Sequence, residues 1–321
     1  MKGTQVAQSL TLLAPAKLNL SLAILGKMDN GYHELLTLMQ SVNLCDVLKF
    51  QFASASSVTH QVNLVVENDT TRSDFPLDDT NLIKKAANLF CKTLPVLPPT
   101  KIQIIISKNI PIGAGLAGGS SNAAATLLAL NEYFGNPMTM FQLLDLGFQL
   151  GSDVPFCLIG GTSLGRGRGE KLSHVSFKTI LYFVLVKPKD LFVSTAWAYD
   201  AFDRSQAGLP HTDLESHNQK LIAHLLNGEI SEAAGLFNND FEPEIFKHHA
   251  VLVKIKERLI ELGCLSAHMT GSGPTIYGLT QNLNQAEKIL ASILQDHQLH
   301  VDCWLAQSVS YGAKVIENGK D

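Results

Sequence analysis

The stretch PIGAGLAGGSSNAAATLLAL, residues 111–130, constrains this chain more than any other. Each glycine costs conformational entropy on folding, so such a cluster survives where the backbone must turn sharply or approach something closely. The small residues that follow suit a helix lying close to its neighbours. A glycine loop opening a helix is a ready anion site, because the first N–H groups have no intrahelical partner and the dipole is positive at that end.

Three phosphate-binding loops compete for the segment. Gly113, Gly115 and Gly118 spell the G-x-G-x-x-G dinucleotide fingerprint. That motif needs a strand running straight into the first glycine, and an acid about 20 residues on to hold a ribose. Here Lys108-Asn109-Ile110-Pro111 intervenes, and Glu132 lies inside the predicted helix. Gly113 to Ser120 also has P-loop spacing, but Gly119 stands where the lysine that reaches the terminal phosphates belongs. The third reading keeps the physics without either template. Pro111, Ile112, Gly113, Ala114, Gly115, Leu116, Ala117, Gly118 and Gly119 offer a backbone cradle, and Ser120 or Ser121 adds a hydroxyl to phosphate or to Mg²⁺.

Hydrophobic pattern and turn residues predict strands over 11–25 and 42–52, joined by a turn at Asp29-Asn30-Gly31 and a short helical segment, YHELLTLMQ. Further strands are expected at 60–67 and 101–107, with a helix over 80–94 capped by Thr80. Ser120, Ser121 and Asn122 can cap the next helix, which runs to about Tyr133, and another ends at Gly151. The glycine-rich piece 160–169 reads as a hinge or a turn at a domain edge. Beyond it come a buried strand, TILYFVLVKP, an irregular stretch over 199–218 and two or three helices over 214–262. A strand, tight loop and strand over 265–280, a helix NQAEKILASILQDH and a late strand VDCWLAQS complete the chain. Strands and helices mix without strict alternation, which predicts an α+β architecture. A length of 321 residues suggests two domains, here 1–165 and 166–321.

A net charge of −4 provides no basic surface for nucleic acid, so an anionic ligand must be held by local dipoles and a few lysines. No apolar run is long enough to span a membrane, and Lys17 and Asn19 interrupt the apolar start, which reads as a lead-in to the first strand rather than a signal peptide. Cysteines 45, 91, 157, 264 and 303 form no C-x-x-C pair, so neither a disulfide framework nor a zinc site is supported, and a reducing cytoplasmic setting fits. His248-His249 point in different directions on a helix and read as helix surface.

PIGAGLAGGSSNAA is similar to the phosphate-binding motif of the GHMP kinases, the superfamily of galactokinase, homoserine kinase and mevalonate kinase. APAKLNLSL (14–22) resembles that superfamily's N-terminal motif and MTGSGPTIYG (269–278) its C-terminal glycine motif, in the right order and across nearly the whole chain. PAKLNL, NGYHELLTLMQSV and GSDVPF narrow the resemblance to the branch acting on a cytidine-diphosphate-linked methylerythritol in the non-mevalonate isoprenoid route. One departure is Ala114 and Ala117, where members often carry glycine; a methyl group is tolerated there at negative φ.

The resemblance implies an N-terminal domain like the second domain of ribosomal protein S5, a ferredoxin-like C-terminal domain, and a substrate cleft between them. It implies ATP as phosphoryl donor, with Mg²⁺ held through the ATP phosphates and waters. Asp153 alone reads as a helix N-cap; by resemblance it is the general base for the substrate hydroxyl. Lys17 alone reads as the wet face of a strand; by resemblance it is the charge partner of Asp153, and Asn19 helps hold the substrate. Tyr32 and His33 alone read as a packed aromatic and a surface histidine. By resemblance Tyr32 stacks on cytosine and His33 bonds its polar edge, with Tyr199, or else Trp197 or Phe192, supplying the opposite face. The loop Thr270-Gly271-Ser272-Gly273 is expected near the substrate diphosphate or the glycine loop, and Asn81, Leu82 and Lys108 along the adenine pocket. The expected partner is the small-molecule cytidine-diphosphate substrate. Another kinase of the superfamily, a non-catalytic nucleotide-binding module and an NAD-dependent oxidoreductase are the rival readings.

Overall fold

Two long strands, β1 (Gln8–Lys27) and β2 (His33–Ser54), pair antiparallel from Gln8↔Phe52 to Lys27↔His33. On β1 the alternation of buried Leu10, Leu12 and Ala14 with half-buried neighbours is the period-2 signature of a strand with a core face, and from Ala14 to Ile24 both faces are covered. The computed structural model describes residues 8–55, 60–67, 75–205 and 214–320. The helical segment expected over YHELLTLMQ is the first part of β2 instead. Leu35, Leu36, Leu38 and Met39 are all buried, so both faces of the strand are covered and the run is apolar at either period; pairing with β1 resolves the ambiguity.

The next elements are β3 (Gln61–Val66), α1 (Leu82–Thr93), β4 (Thr100–Ser107), α2 (Gly118–Tyr133), α3 (Met140–Leu150) and α4 (Val154–Ile159). They continue through β5 (Thr162–Arg166), β6 (Lys171–Val175), β7 (Tyr182–Pro188), α5 (Thr195–Ser205), α6 (Leu214–Asn227), α7 (Ile230–Ala234), β8 (Asn238–Asn239) and α8 (Glu242–His248). The last are α9 (Ala250–Glu261), β9 (Ser266–Met269), β10 (Ile276–Thr280), α10 (Leu283–Leu294), β11 (Val301–Gln307) and β12 (Lys314–Lys320). One sheet runs β12-β1-β2-β4-β3, with β5 on β2, β6 on β5 and β8 on β1. The other runs β11-β7-β10-β9. Helices α1 to α4 share the first sheet's core through Ile83, Phe90, Leu127, Leu130 and Phe156; α9 and α10 cover the second through Ile255, Leu259, Ile289 and Ile293.

Four expectations change. The hinge over 160–169 is a hairpin, β5 and β6, whose first strand continues the sheet from Thr37↔Gly165 to Gln40↔Thr162. The boundary placed at 165/166 therefore falls inside β5, and β12 returns to β1. The stretch 199–218 is helical up to Ser205 and again from Leu214, while 206–213 lies outside the described residues. Only Ala198, Ala201 and Phe202 of α5 are buried, so its polar exterior hides the helical period. Residues 214–262 hold four helices, not two or three. His248 and His249 end α8 and meet Trp197 edge-on at 5.3 and 5.9 Å. Among the described residues no helix is long and apolar enough to cross a membrane.

Candidate active site

A cleft of about 960 Å³ opens where β1, the β1–β2 turn, the glycine loop, α4, α5 and the loop at Gly271-Ser272 meet. Lys17 and Asn19 reach it from one face of β1. Lys17 is buried, not on a wet face, because Leu18 and Leu20 opposite are buried as well. Its Nζ donates to Asn19 Oδ1 at 2.6 Å and lies 3.9 Å from Asp153 Oδ2. Asn19 is itself fixed: Nδ2 donates to Thr37 Oγ1 at 2.8 Å, and Oδ1 accepts from the Gly271 N–H at 2.9 Å.

Asp153 sits at the N-terminal end of α4, but its side chain makes no cap bond. The capping role preferred on sequence alone is thus absent. The carboxylate is 38% exposed into the cleft, with Lys17 as its ion-pair partner.

The glycine loop joins β4 to α2. Gly113 and Gly115 take φ of +60° and +75°, and a Cβ on Gly115 would run into the Thr270 carbonyl. Thr270 Oγ1 donates to the Gly115 carbonyl at 3.3 Å, and the Lys17 N–H to the Leu116 carbonyl at 3.1 Å, so the loop is pinned from both sides. No side chain caps α2, which leaves its first N–H groups facing the cleft that Gly118, Gly119 and Ser120 line. Ser120, Ser121 and Asn122 are inside the helix rather than capping it. Ser121 is turned away, fully buried beside Cys157, so it offers nothing to a ligand. Ala114 and Leu116 contribute backbone only, since their side chains are in the core.

Ala114 keeps a negative φ, but Ala117 does not: it is the residue before α2, in the left-handed region at φ +55°. A methyl group there costs about 1–2 kcal/mol, and glycine's extra unfolded-state freedom returns about half of that. Ala117→Gly is expected to raise unfolding stability by about 0.5–1 kcal/mol in urea titration; a loss of stability would mean that the methyl packs favourably against the core.

Lys108 lines the cleft, yet its ammonium is committed. It donates to Asp46 Oδ2 at 2.7 Å, with both side chains buried, and to the Ile110 carbonyl. Burial pushes Lys108 down and the Asp46 charge opposes it. Asp46 Oδ1 accepts from the N–H groups of Asn109 and Ile110 at 2.7 and 2.8 Å. The pair ties the root of the glycine loop to β2. Asn81, not Thr80, caps α1: its Oδ1 accepts from the Ile83 N–H at 2.9 Å while Nδ2 donates to the Pro76 carbonyl at 2.6 Å. Thr80 bonds Asp78 instead. Asn81 and Leu82 line the cleft, but the Asn81 amide is occupied.

The aromatic residues gather at one end of the cleft. Tyr32 is 51% exposed at the cleft. Tyr199 lines the same cleft and stacks on His33, centroids 4.6 Å apart at 19°. His33 is drawn inward by Asp203 of α5, whose Oδ1 is 2.6 Å from Nε2, and so fills the space before Tyr199. A carboxylate only accepts, so Nε2 carries the proton and Nδ1 is left for a ligand. The hydrogen bond from Lys27 foremost, then the one from His33 working against burial, holds Asp203 below the usual carboxylate range. Burial, then the Asp153 charge, pushes the Tyr199 phenol up to about 12, so it stays a neutral hydroxyl. Trp197 packs on His248 and His249, and the Phe192 ring lies over Gly113, so neither faces Tyr32. Of the C-terminal loop, Gly271 and Ser272 line the cleft; Thr270 and Gly273 brace the glycine loop from behind. The loop therefore touches the glycine loop and the cleft at once.

Several cleft residues escaped sequence reasoning, among them Asp203, Arg168, Thr195 and Asn122. Asp203 stands four residues after Tyr199, the helical spacing that places both on one face. Arg168 lies between two glycines of the β5–β6 turn, and Thr195, hydrogen-bonded to Ser272 at 2.9 Å, opens α5. Asn122 is 1% exposed and lines the cleft, and neither atom of its amide has a partner among the described residues. Burying a polar group this way costs stability unless something bonds it.

Residues 81–161 match the model of the GHMP kinases N terminal domain, and residues 219–297 that of the GHMP kinases C terminal. A 4-diphosphocytidyl-2-C-methyl-D-erythritol kinase of Trichodesmium erythraeum is 36% identical over 324 residues, covering 96% of this chain and 99% of that protein. The chain belongs to the 4-diphosphocytidyl-2-C-methyl-D-erythritol kinase family of GHMP kinases. A member of this family from Pelotomaculum thermopropionicum is 40% identical over 282 residues, covering 88% of this chain and 93% of its own. A crystal structure of 4-(cytidine 5'-diphospho)-2C-methyl-D-erythritol kinase superposes with a TM-score of 0.75 at 28% identity, covering 93% of this chain and 98% of that one. The α+β GHMP kinase fold expected from the motifs is the fold observed. The chain is a small-molecule kinase.

Proposed function

We propose that this kinase transfers the γ-phosphoryl group of ATP to the 2-hydroxyl of 4-diphosphocytidyl-2-C-methyl-D-erythritol, giving the 2-phosphate and ADP in non-mevalonate isoprenoid precursor synthesis. One juxtaposition carries the reading: the uncapped start of α2 and the Lys17–Asp153 pair share one cleft. The amides of Gly118, Gly119 and Ser120 and the dipole of α2 hold the triphosphate. Asp153 accepts the proton of the 2-hydroxyl as its oxygen bonds to the γ-phosphorus, and the bond to the β-phosphate oxygen breaks to release ADP. Lys17, steadied by Asn19, orients Asp153 and supplies positive charge at the transferring group.

Mg²⁺ bound to the ATP phosphates, where such an ion keeps several waters, would neutralise charge on the transferring group. The free cysteines suit a reducing cytoplasm. Tyr32 offers the stacking face for cytosine, and His33 Nδ1 accepts from the base amine. Base stacking is worth about 1–3 kcal/mol, so Tyr32→Ala is expected to raise KM for the cytidine substrate roughly 5- to 150-fold with KM for ATP unchanged. An unaltered KM for the cytidine substrate removes Tyr32 from the base site. The reading as a whole is tested by offering ATP with a panel of acceptors and following ADP release. Turnover with the cytidine-diphosphate alcohol alone supports it; equal or better turnover with homoserine or mevalonate overturns it.

A further inference from the structure

Four cations line the cleft: Lys17, Lys27, Lys108 and Arg168. Three have a carboxylate: Asp153 at 3.9 Å for Lys17, Asp203 at 2.8 Å for Lys27 and Asp46 at 2.7 Å for Lys108. Arg168 has none among the described residues. Its guanidinium lies 3.6 Å over the Tyr32 ring and 5.0 Å from the Phe148 ring. Its charge is also felt at Tyr199, where it opposes the effects of burial and of Asp153 on the phenol.

The backbone that carries Arg168 is fixed although its side chain is not. The Leu35 N–H donates to the Gly167 carbonyl at 2.6 Å, and the Arg168 N–H to Glu170 Oε2 at 2.6 Å. The turn is thereby held to β2, two residues from His33. An arginine rooted on a rigid turn, stacked on the aromatic ring expected to meet the base, whose guanidinium donors have no acceptor among the described residues, is suited to an anion attached to that base.

We infer that Arg168 binds the diphosphate of the cytidine-linked substrate and is the residue that distinguishes a cytidine diphosphate from cytidine. The inference rests on the function proposed above. Stacking on an exposed ring is a weak hold, whereas paired N–H···O bonds from a guanidinium to a phosphate are among the stronger polar contacts, so exchanging one for the other is favourable. The planar fork matches two phosphate oxygens at once, which an ammonium cannot do.

Calorimetric titration of cytidine 5'-diphosphate, cytidine and an ATP analogue against the wild type, Arg168→Met and Arg168→Lys tests this. The wild type is expected to prefer the diphosphate over cytidine. Arg168→Met, which keeps the apolar stem, loses roughly 10- to 100-fold of that preference, and Arg168→Lys an intermediate part. Cytidine itself and the ATP analogue bind as in the wild type, which also shows that the variants are folded. If Arg168→Met weakens cytidine and its diphosphate equally, Arg168 serves the base and the assignment fails. If the loss falls on the ATP analogue, Arg168 belongs to the donor and the assignment fails likewise. A wild type that binds neither cytidine ligand overturns the function reading together with it, whereas one that binds both while Arg168→Met keeps the full preference overturns Arg168 alone.

Discussion

Asp153→Asn is expected to lower turnover on the order of 10²–10⁴-fold, the contribution of a positioned acid–base group. The substitution keeps the shape and removes the charge and the basic oxygen. It does not unmake a helix cap, since the Asp153 side chain caps nothing. It leaves Lys17 bonded to Asn19 but without its carboxylate, so a modest loss of stability accompanies the kinetic loss. KM for ATP should hardly move, because the proposed triphosphate site is backbone from another segment. Steady-state ADP release and a thermal melt of the same sample separate these effects. Turnover near that of the wild type in a folded variant removes Asp153 from the mechanism.

Asp46→Ala is expected to destabilise the fold by about 3–5 kcal/mol, the cost of stranding one partner of a buried ion pair. Lys108 would lose its Asp46 carboxylate inside the fold, and the N–H groups of Asn109 and Ile110 would lose their acceptor. The double variant Asp46→Ala/Lys108→Met tests the cause, since removing both charges should recover much of the loss. Because the pair anchors the root of the glycine loop, the single variant should also bind ATP more weakly. Urea unfolding measures the first effect and KM for ATP the second. A loss under about 1 kcal/mol in the single variant would show that the pair is hydrated rather than buried.

Several elements were legible: β4 alternates, α10 has helical spacing, and β7 and β10 are short apolar runs bounded by turn residues. Residues 32–40 were not, because from Leu35 onward the strand is buried on both faces and its apolar residues carry no clean two-residue period. The α5 helix was hidden for the opposite reason, too few buried residues to set a stripe. The glycine loop was legible as a phosphate cradle because its backbone demands show in residue type. Lys17 and Asp153 were not legible alone: a lysine on a strand and an aspartate before a helix have commoner explanations, and only the family motifs lifted them. Which side chains spend their polar atoms on the fold lay beyond the sequence. Asn81 and Lys108 are committed to Ile83 and Asp46, partners set by tertiary packing, while among the described residues the Asn122 amide has no hydrogen-bond partner and Arg168 no carboxylate.

The most direct measurement is a crystal structure with a non-hydrolysable ATP analogue and the cytidine-diphosphate alcohol bound together. The account places the triphosphate over Gly113 to Ser120, and the 2-hydroxyl about 2.6–3.2 Å from the Asp153 carboxylate, within reach for proton transfer. A nucleotide lodged away from the start of α2, or an acceptor hydroxyl held far from Asp153, contradicts it.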